Sequence, residues 1–359
     1  MSYYILPKNK NIYILEPKYD DKPCAHFVSH SIKKYYDELY NQINLICGNK
    51  NNSSFNSFSE LIKIINPYEF IFYKVPGSKF SVSKLKPTSN TFYDFLEIVL
   101  TLNIFESYKL QTLNSLHISE NNEDTIECNE MLRENFQDNV LFYKKIDDEL
   151  FKSLNERKFD FMFFDTNSND LNSYFINLIQ YLMLILKCST ENSTTIIKIQ
   201  HTLHKPVIDI LYFLCSLFDK VYIMKPNSNN ITTFEKYIIC KGFVYNESKY
   251  EIYKINYYKL LVFLKKLEDR NIVSIIDKEL PSYFINKVDD INIIIGQQQL
   301  ESLGQIVSIL KNKNIDDKIE SIKKSNIQKS VSWCEKYKIP CNKFTEKTNI
   351  FLPIIKENN

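Results

Sequence analysis

Between residues 159 and 243, three strand-length apolar segments alternate with two helical patterns. The segments FDFMFFD, TTIIKI and KVYIM are mostly apolar runs bounded by polar residues, as expected for strands covered on both faces. Strand–helix–strand order favours right-handed parallel crossovers and therefore an α/β layer fold. A fourth segment, FEKYIICKGF, follows a loop at 227–234 that is short enough for an antiparallel return, so we expect this strand to reverse.

The rest of the chain reads less clearly. We predict a strand at 66–77 closed by a Pro-Gly turn and a helix from about 89 to 102. We also predict a strand within 109–119, a helix at 123–135 and a strand at 139–145. Helical patterns at 25–47 and after 246 flank this region. We divide the chain into an N-terminal helical extension (1–65), an α/β domain (66–245) and a C-terminal helical region (246–359).

Composition excludes several classes of function. The formal net charge is +2, which gives no global electrostatic case for nucleic acid. The eight Cys form no CxxC pair, and His201 and His204 (HTLH) lack an evident third ligand, so we expect no metal. The longest apolar run, 175–188, is too short to span a membrane and predicts a buried helix. No secretory leader is visible in the first 21 residues, so we expect an intracellular, cytoplasmic protein with reduced thiols.

Three charged residues lie where strands end or begin. Asp165 ends FDFMFFD, Lys198 lies near the end of TTIIKI, and Glu235 precedes the reversed strand. Ligands bind beyond the carboxyl ends of strands in open α/β sheets, so we expect these three side chains to cluster there. Read singly, they could be a turn residue, a solvent-reaching lysine and an exposed strand residue. Together, they form a carboxylate–lysine–carboxylate group that can activate a hydroxyl.

The stretch TTIIKIQ…DKVYIMKPNSNNITTFEKYIICKGF resembles the C-terminal half of FtsJ-like RNA 2′-O-methyltransferases, in particular the cap-modifying branch of large DNA viruses. The resemblance covers residues 159–243. It implies a Rossmann-like class I methyltransferase sheet, with S-adenosylmethionine as cofactor and a ribose 2′-hydroxyl as methyl acceptor. The catalytic tetrad of such enzymes is Lys, Asp, Lys, Glu, and its last three members fall on Asp165, Lys198 and Glu235.

Two segments depart from the family pattern. The motif that carries the first catalytic Lys matches SNTFYDFLEI best, which places Asp94 at the Lys position and Asn90 at the Arg position. Lys79 or Lys84 from the preceding loop could replace that Lys in space. The segment expected to hold the cofactor, near Ser119, Asn121 and Asn122, contains no glycine, although the backbone must pass close to the cofactor there.

Two functions therefore stay open. The first is a viral, mRNA cap-directed RNA 2′-O-methyltransferase, which would act in the cytoplasm, in a viral factory or in a virion. The second is an inactive homologue, a pseudoenzyme that binds RNA or a protein partner as an accessory subunit. Neither function involves a membrane. If the segment 116–127 fills the cofactor pocket, the second function is favoured.

Overall fold

The computed structural model describes residues 3–48, 58–120, 122–154, 157–165, 168, 170–245, 247–311 and 315–342. The strands are β1 (Tyr3–Ile5), β2 (Lys18–Asp20), β3 (Asn114–Ile118), β4 (Asn139–Tyr143), β5 (Phe159–Asp165), β6 (Ser189–Ile199), β7 (Phe218–Met224), β8 (Lys236–Phe243) and β9 (Asn271–Ser274). The helices are α1 (His30–Gly48), α2 (Phe58–Ile65), α3 (Thr91–Thr101), α4 (Asn122–Leu132), α5 (Asp148–Ser153), α6 (Leu171–Cys188), α7 (Lys205–Leu217), α8 (Glu247–Lys265), α9 (Ser282–Lys311) and α10 (Ile315–Lys336). Two 3-10 turns lie at Glu69–Ile71 and Ile104–Tyr108.

A seven-stranded sheet forms the centre of the protein, with strand order β1-β7-β8-β6-β5-β3-β4. β4, β3, β5 and β6 run parallel, while β8 is antiparallel to both of its neighbours, β6 and β7. The predicted α/β fold with a reversed strand is confirmed. The fold is a mixed α/β sheet covered by helices on both faces, with helical segments at both ends of the chain.

The central strands are buried on both faces, which explains their continuous apolar sequence. In β5, Phe161 and Phe163 pack on the face that carries α3 and α10, whereas Met162 and Phe164 pack on the face that carries α6 and α7. Side chains alternate between the two faces of a strand, so each face of β5 needs its own apolar set. The helix predicted through Cys188 is α6, and its N-cap Asp170 accepts a hydrogen bond from the Ser173 N–H.

α6 is long and apolar enough to cross a membrane by length and composition, and 61% of that stretch is buried within the protein. Its buried side chains include Tyr174, Leu178 and Leu182, which belong to the core beneath the sheet. The same composition is common to the core helices of globular domains, and the position of α6 matches the buried helix predicted for 175–188.

The strand predicted at 66–77 is wrong, because this segment forms the 3-10 turn Glu69–Ile71 instead. Phe70 and Ile71 are adjacent and both buried, which a one-sided strand cannot achieve but a tight turn can. Their carbonyls accept hydrogen bonds from the N–H groups of Val82 and Ser83. These bonds anchor the segment that follows the turn.

The terminal segments pack on the sheet and on each other. β1 adds an edge strand antiparallel to β7, and β2 pairs with β9 in a separate two-stranded sheet. α1 packs against α9, where Gly296 allows the close approach of Ile32. The predicted helical extension at 1–65 thus also contains two short strands. The pairing of β2 with β9 joins residues about 250 positions apart in the chain, so no local sequence pattern predicts this pairing.

Replacing Gly296 with Ala tests this helix contact. A methyl group at Gly296 would clash with Cγ2 of Ile32, a β-branched side chain that cannot easily move aside. We expect the free energy of unfolding to fall by about 1–3 kcal/mol, the usual cost of overpacking, measured by denaturant titration.

Gly304 lies on the same helix and faces open space, so Gly304→Ala is the matched control. This substitution should raise stability by about 0.5–1 kcal/mol, because alanine has the higher helix propensity. Equal effects of the two substitutions would contradict the close contact between α1 and α9.

Candidate functional site

The three residues singled out at the strand ends meet at the carboxyl edge of the sheet. Asp165 and Lys198 are register partners on β5 and β6, and Glu235 immediately precedes β8. The Lys198 Nζ lies 3.5 Å from Asp165 Oδ1 and 4.0 Å from Glu235 Oε2. The structure thus brings the predicted cluster together, and we call it the Lys198 cluster. The catalytic role of these residues remains a prediction.

Lys198 is a positive charge held among carboxylates, with 17% of its side chain exposed. Burial alone would lower the pKa of Lys198, but the carboxylates of Asp165, Glu235 and Asp94 raise this pKa above its ordinary value. Burial raises the pKa of Asp165, and the nearby Lys198 ammonium opposes that rise. Lys198 is therefore protonated at neutral pH, so it can donate hydrogen bonds and attract negative charge, but it is a poor base.

Asp94 lies on α3 and is 3% exposed. Its carboxylate accepts hydrogen bonds from Ser228 Oγ at 2.6 Å, Asn229 Nδ2 at 2.7 Å and Tyr237 OH at 3.0 Å. Burial raises its pKa, and these donors oppose the rise. The residue at the position where the sequence resemblance expects a Lys is therefore a buried carboxylate bound to the loop between β7 and β8. Asn90, at the family's Arg position, binds the same loop by donating to the Ser228 carbonyl.

A second carboxylate on α3, Glu97, also binds this loop. It accepts hydrogen bonds from the backbone N–H groups of Asn227 at 2.9 Å and Ser228 at 3.2 Å. The indole N–H of Trp333 on α10 donates to the same carboxylate at 2.8 Å. The C-terminal helical region thus reaches the site through the single Trp of the chain. Glu97 was not recognised from sequence, because it looks like an ordinary polar residue of an amphipathic helix.

Lys225 stabilises the loop between β7 and β8 through three hydrogen bonds. Its Nζ donates to Asn229 Oδ1 at 2.9 Å, to the Thr233 carbonyl at 2.8 Å and to the Glu235 carbonyl at 2.7 Å. Burial lowers the pKa of Lys225 to about 7. Its three bonds fix the backbone at Glu235, so Lys225 positions that carboxylate beside Lys198. The Lys-Pro pair in the sequence was the available signal for this residue.

The segment expected to hold the cofactor is short and acidic. Only residues 119–121 separate β3 from α4, and Asn121 and the side chain of Asn122 lie outside the described residues. Ser119 Oγ donates to Asp165 Oδ2 at 3.4 Å, so this hydroxyl faces the Lys198 cluster. Asp124, in the first turn of α4, is buried and accepts from Thr88 N–H and Oγ1, each at 2.8 Å, and from Ser89 Oγ.

These residues do not fit S-adenosylmethionine. Glu123 and Asp124 occupy the first turn of α4, where the positive end of the helix dipole would otherwise attract the carboxylate of the cofactor. No glycine relieves the backbone at this turn. At the end of β4, Lys144 and Lys145 stand where a nucleotide-binding sheet commonly carries an acid for the ribose hydroxyls.

Lys79 and Lys84 do not replace the missing lysine in this structure. Both line a separate pocket, and neither makes an ion pair with Asp165 or Glu235 in the described chain. The lysine-for-lysine replacement considered from sequence is therefore not observed.

His201 and His204 pack among aromatic rings. Their ring centroids are 4.8 Å apart, and the ring of His26 lies 4.7 Å from that of His204. No group of three or more His, Cys, Asp or Glu side chains suited to a metal ion occurs within the described ranges. Burial, together with neighbouring positive charge, lowers the pKa of His201 to about 3 and that of His204 to about 4.

Comparisons with known proteins find structural similarity over less than half of the chain in the two solved structures described below. No protein-family model matches the sequence. No curated protein matches it either. One similar solved structure is described as a ribosomal RNA methyltransferase from Plasmodium falciparum; it is 16% identical, with 44% of this chain and 99% of that chain covered and a TM-score of 0.34. Another is human methyltransferase-like protein 13 in complex with SAH, 12% identical, with 48% and 93% covered and a TM-score of 0.30.

The histidine pair predicts a loss of stability in mild acid. Between pH values of about 4 and 6.5 the unfolded chain binds protons at His201 and His204 that the folded chain does not, so stability falls as pH falls through this window. At pH values near 5.5 we expect a loss of roughly 1 kcal/mol for each histidine relative to pH values near 7.5, measured by urea unfolding.

The control is the variant carrying His201→Gln and His204→Gln. It keeps every other titrating group, so its loss of stability over the same pH interval should be smaller by about 2 kcal/mol. An identical pH dependence in the two proteins would show that these histidines titrate normally in the folded state.

Proposed function

We propose that this chain is an inactive homologue of the RNA 2′-O-methyltransferases, which binds RNA as an accessory subunit and does not transfer a methyl group. The observation that carries the proposal is Asp94. A buried carboxylate with three donors stands where the resemblance expects a catalytic ammonium.

The charge around Lys198 argues against activation of a hydroxyl. Methyl transfer to a 2′-hydroxyl requires donors or positive charge near the oxygen as it loses its proton. Here Asp94, Asp165 and Glu235 all act on Lys198, and the neighbouring lysine, Lys225, directs its three bonds into the loop. Replacement of a lysine by an aspartate changes the local charge by two units in the unfavourable direction. A developing alkoxide would be repelled here.

The retained cluster then has a structural role. Asp165, Lys198 and Glu235 neutralise one another at the carboxyl edge, and Lys225 together with the two α3 carboxylates hold the adjoining loop. Groups that served an acceptor site in such a family would here stabilise a rigid polar surface. The acidic, glycine-free turn before α4 supports the same proposal, because it disfavours the cofactor.

The second candidate is an active RNA 2′-O-methyltransferase directed to the mRNA cap. The observation that favours it is the Lys198 ammonium, which lies between two carboxylates and remains partly exposed. In this case Lys198 would orient the acceptor hydroxyl, and S-adenosylmethionine would supply the methyl group.

Titration of the full chain with S-adenosylmethionine separates the two functions. The proposal predicts no binding heat at millimolar ligand and no transfer of labelled methyl groups to capped or uncapped RNA. Heat that fits a micromolar dissociation constant, together with transfer of label, would overturn the proposal in favour of the active enzyme.

If transfer is observed, Lys198→Ala tests the mechanism of the second candidate. This variant should lose methylation while it keeps the affinity for the cofactor, because Lys198 would act on the acceptor. Lys220→Ala is the matched control, since Lys220 is an exposed lysine on β7 away from the carboxyl edge, and it should leave transfer unchanged. Transfer retained in Lys198→Ala would remove Lys198 from the reaction.

A further inference from the structure

A pocket lined by four lysines lies outside the Lys198 cluster. It has a volume of about 500 Å³ and is formed by the segment 72–87 together with Asn342. Its lining includes the following lysines: Lys74, Lys79, Lys84 and Lys86. We call it the lysine pocket. Neither of the two candidate functions assigns a role to all four of these side chains.

Within the described residues, no ion pair neutralises the charge of the lysine pocket. Across the described ranges, none of the four ammonium groups has a carboxylate within 4.0 Å, and no Asp or Glu is among the lining residues. Other lysines of this chain are paired, such as Lys33 with Asp37 and Lys205 with Asp209. Four like charges around one pocket repel each other, and a bound polyanion would relieve that repulsion.

The wall that carries the lysines is fixed by backbone hydrogen bonds. Val82 is fully buried, its N–H donates to the Phe70 carbonyl at 2.7 Å, and its carbonyl accepts from the Asn342 N–H at 2.7 Å. The Lys84 N–H donates to the Pro340 carbonyl at 2.8 Å. The lysines therefore project from an ordered strip of chain, which lowers the entropic cost of binding a ligand.

Aromatic rings accompany the charges. Phe80 lines the pocket and is 57% exposed, and Phe72 also contributes to the lining. An exposed phenylalanine among lysines is unfavourable in water but suits a ligand that offers both phosphates and flat bases. This combination is typical of surfaces that bind single-stranded nucleic acid without sequence preference.

The lysine pocket lies on the side of the sheet that carries the Lys198 cluster. Lys86 is followed by Thr88 and Ser89, which bind Asp124 in the first turn of α4. Three residues separate the carboxyl end of β3 from the start of α4, so the first turn of α4 lies at the carboxyl edge. A strand bound in the pocket can continue toward that edge.

We propose that the lysine pocket binds the sugar–phosphate backbone of single-stranded nucleic acid, with Phe80 as a stacking platform for a base. The identity of the polymer as RNA rests on the proposed function; the pocket chemistry requires only phosphates and bases. The four lysines contact successive phosphates, and their released counterions make binding dependent on salt.

The test measures the affinity of the full chain for an oligouridylate RNA of about ten nucleotides by fluorescence anisotropy at several salt concentrations. Four phosphate contacts predict a slope of about −3 for the logarithm of the association constant against the logarithm of salt concentration. In the variant with Lys84→Gln and Lys86→Gln, the slope should fall to about half, and affinity should drop roughly tenfold or more at low salt. Phe80→Ala should weaken binding with an unchanged slope.

The control variant carries Lys34→Gln and Lys109→Gln. Both are exposed lysines outside the pocket, so the net charge changes equally while the pocket keeps its four lysines. Control and wild-type protein should bind alike, and matching circular dichroism and melting curves should show that all variants are folded.

Each result decides a different claim. An equal loss of RNA affinity in the pocket variant and in the control variant would show that binding depends on net charge. This result would overturn the proposal that the lysine pocket is the binding site. Wild-type binding that the pocket variant keeps in full would also overturn the pocket, while the RNA role of the proposed function would stand. The absence of RNA binding by the wild-type protein would overturn both the lysine-pocket proposal and the RNA role in the proposed function.

Displacement of the RNA by tripolyphosphate at equal phosphate concentration, with no effect of Phe80→Ala, would overturn the proposal that the pocket binds single-stranded nucleic acid. It would instead identify the pocket as a site for a small anion.

Discussion

Burial of the central strands on both faces is the constraint on which the rest of the structure depends. β5 and β6 have helices above and below, so their middle residues are apolar and charged groups are confined to the ends. Asp165 and Lys198 lie at the same end because the strands are parallel and in register. The Lys198 cluster is thus a consequence of the way in which the sheet is buried.

Two carboxylates on α3 determine the charge and the hydrogen bonding at that edge of the sheet. Asp94 and Glu97 are buried and satisfied by donors from the loop at 225–235, from Tyr237 and from Trp333. Buried carboxylates are costly unless they receive hydrogen bonds, so the loop, α3 and α10 hold one another in place. The result is a rigid environment rich in carboxylates around Lys198, whereas the four lysines of the lysine pocket have no paired carboxylate within the described residues. That separation supports the proposed function, in which the protein binds a polyanion at the lysine pocket and transfers no methyl group.

The sequence predicted the central sheet well because its signals are local. The apolar run at β5, the N-cap Asp170 before α6 and Pro206 in the first turn of α7 each specify an element within a few residues. The prediction of a strand at 66–77 was wrong, because the adjacent apolar residues of a buried 3-10 turn resemble those of a buried strand. The strands β2 and β9 were missed because their pairing depends on residues far apart in the chain. The clustering of Asp165, Lys198 and Glu235 could be expected from strand order, whereas the roles of Glu97 and Lys225 depend on contacts that no spacing reveals.

By itself, the sequence determined the α/β class, the reversed strand and the absence of glycine from the turn before α4. These features follow from the chain's periodicity and from its local stereochemistry. Only the tertiary structure decided that Asp94 faces inward and binds a loop some 135 residues away, and that four lysines share one pocket with no acid among its lining residues. Hydrogen bonds of buried carboxylates and the neutralisation of surface charge depend on which distant residues meet, and folding alone brings those residues together.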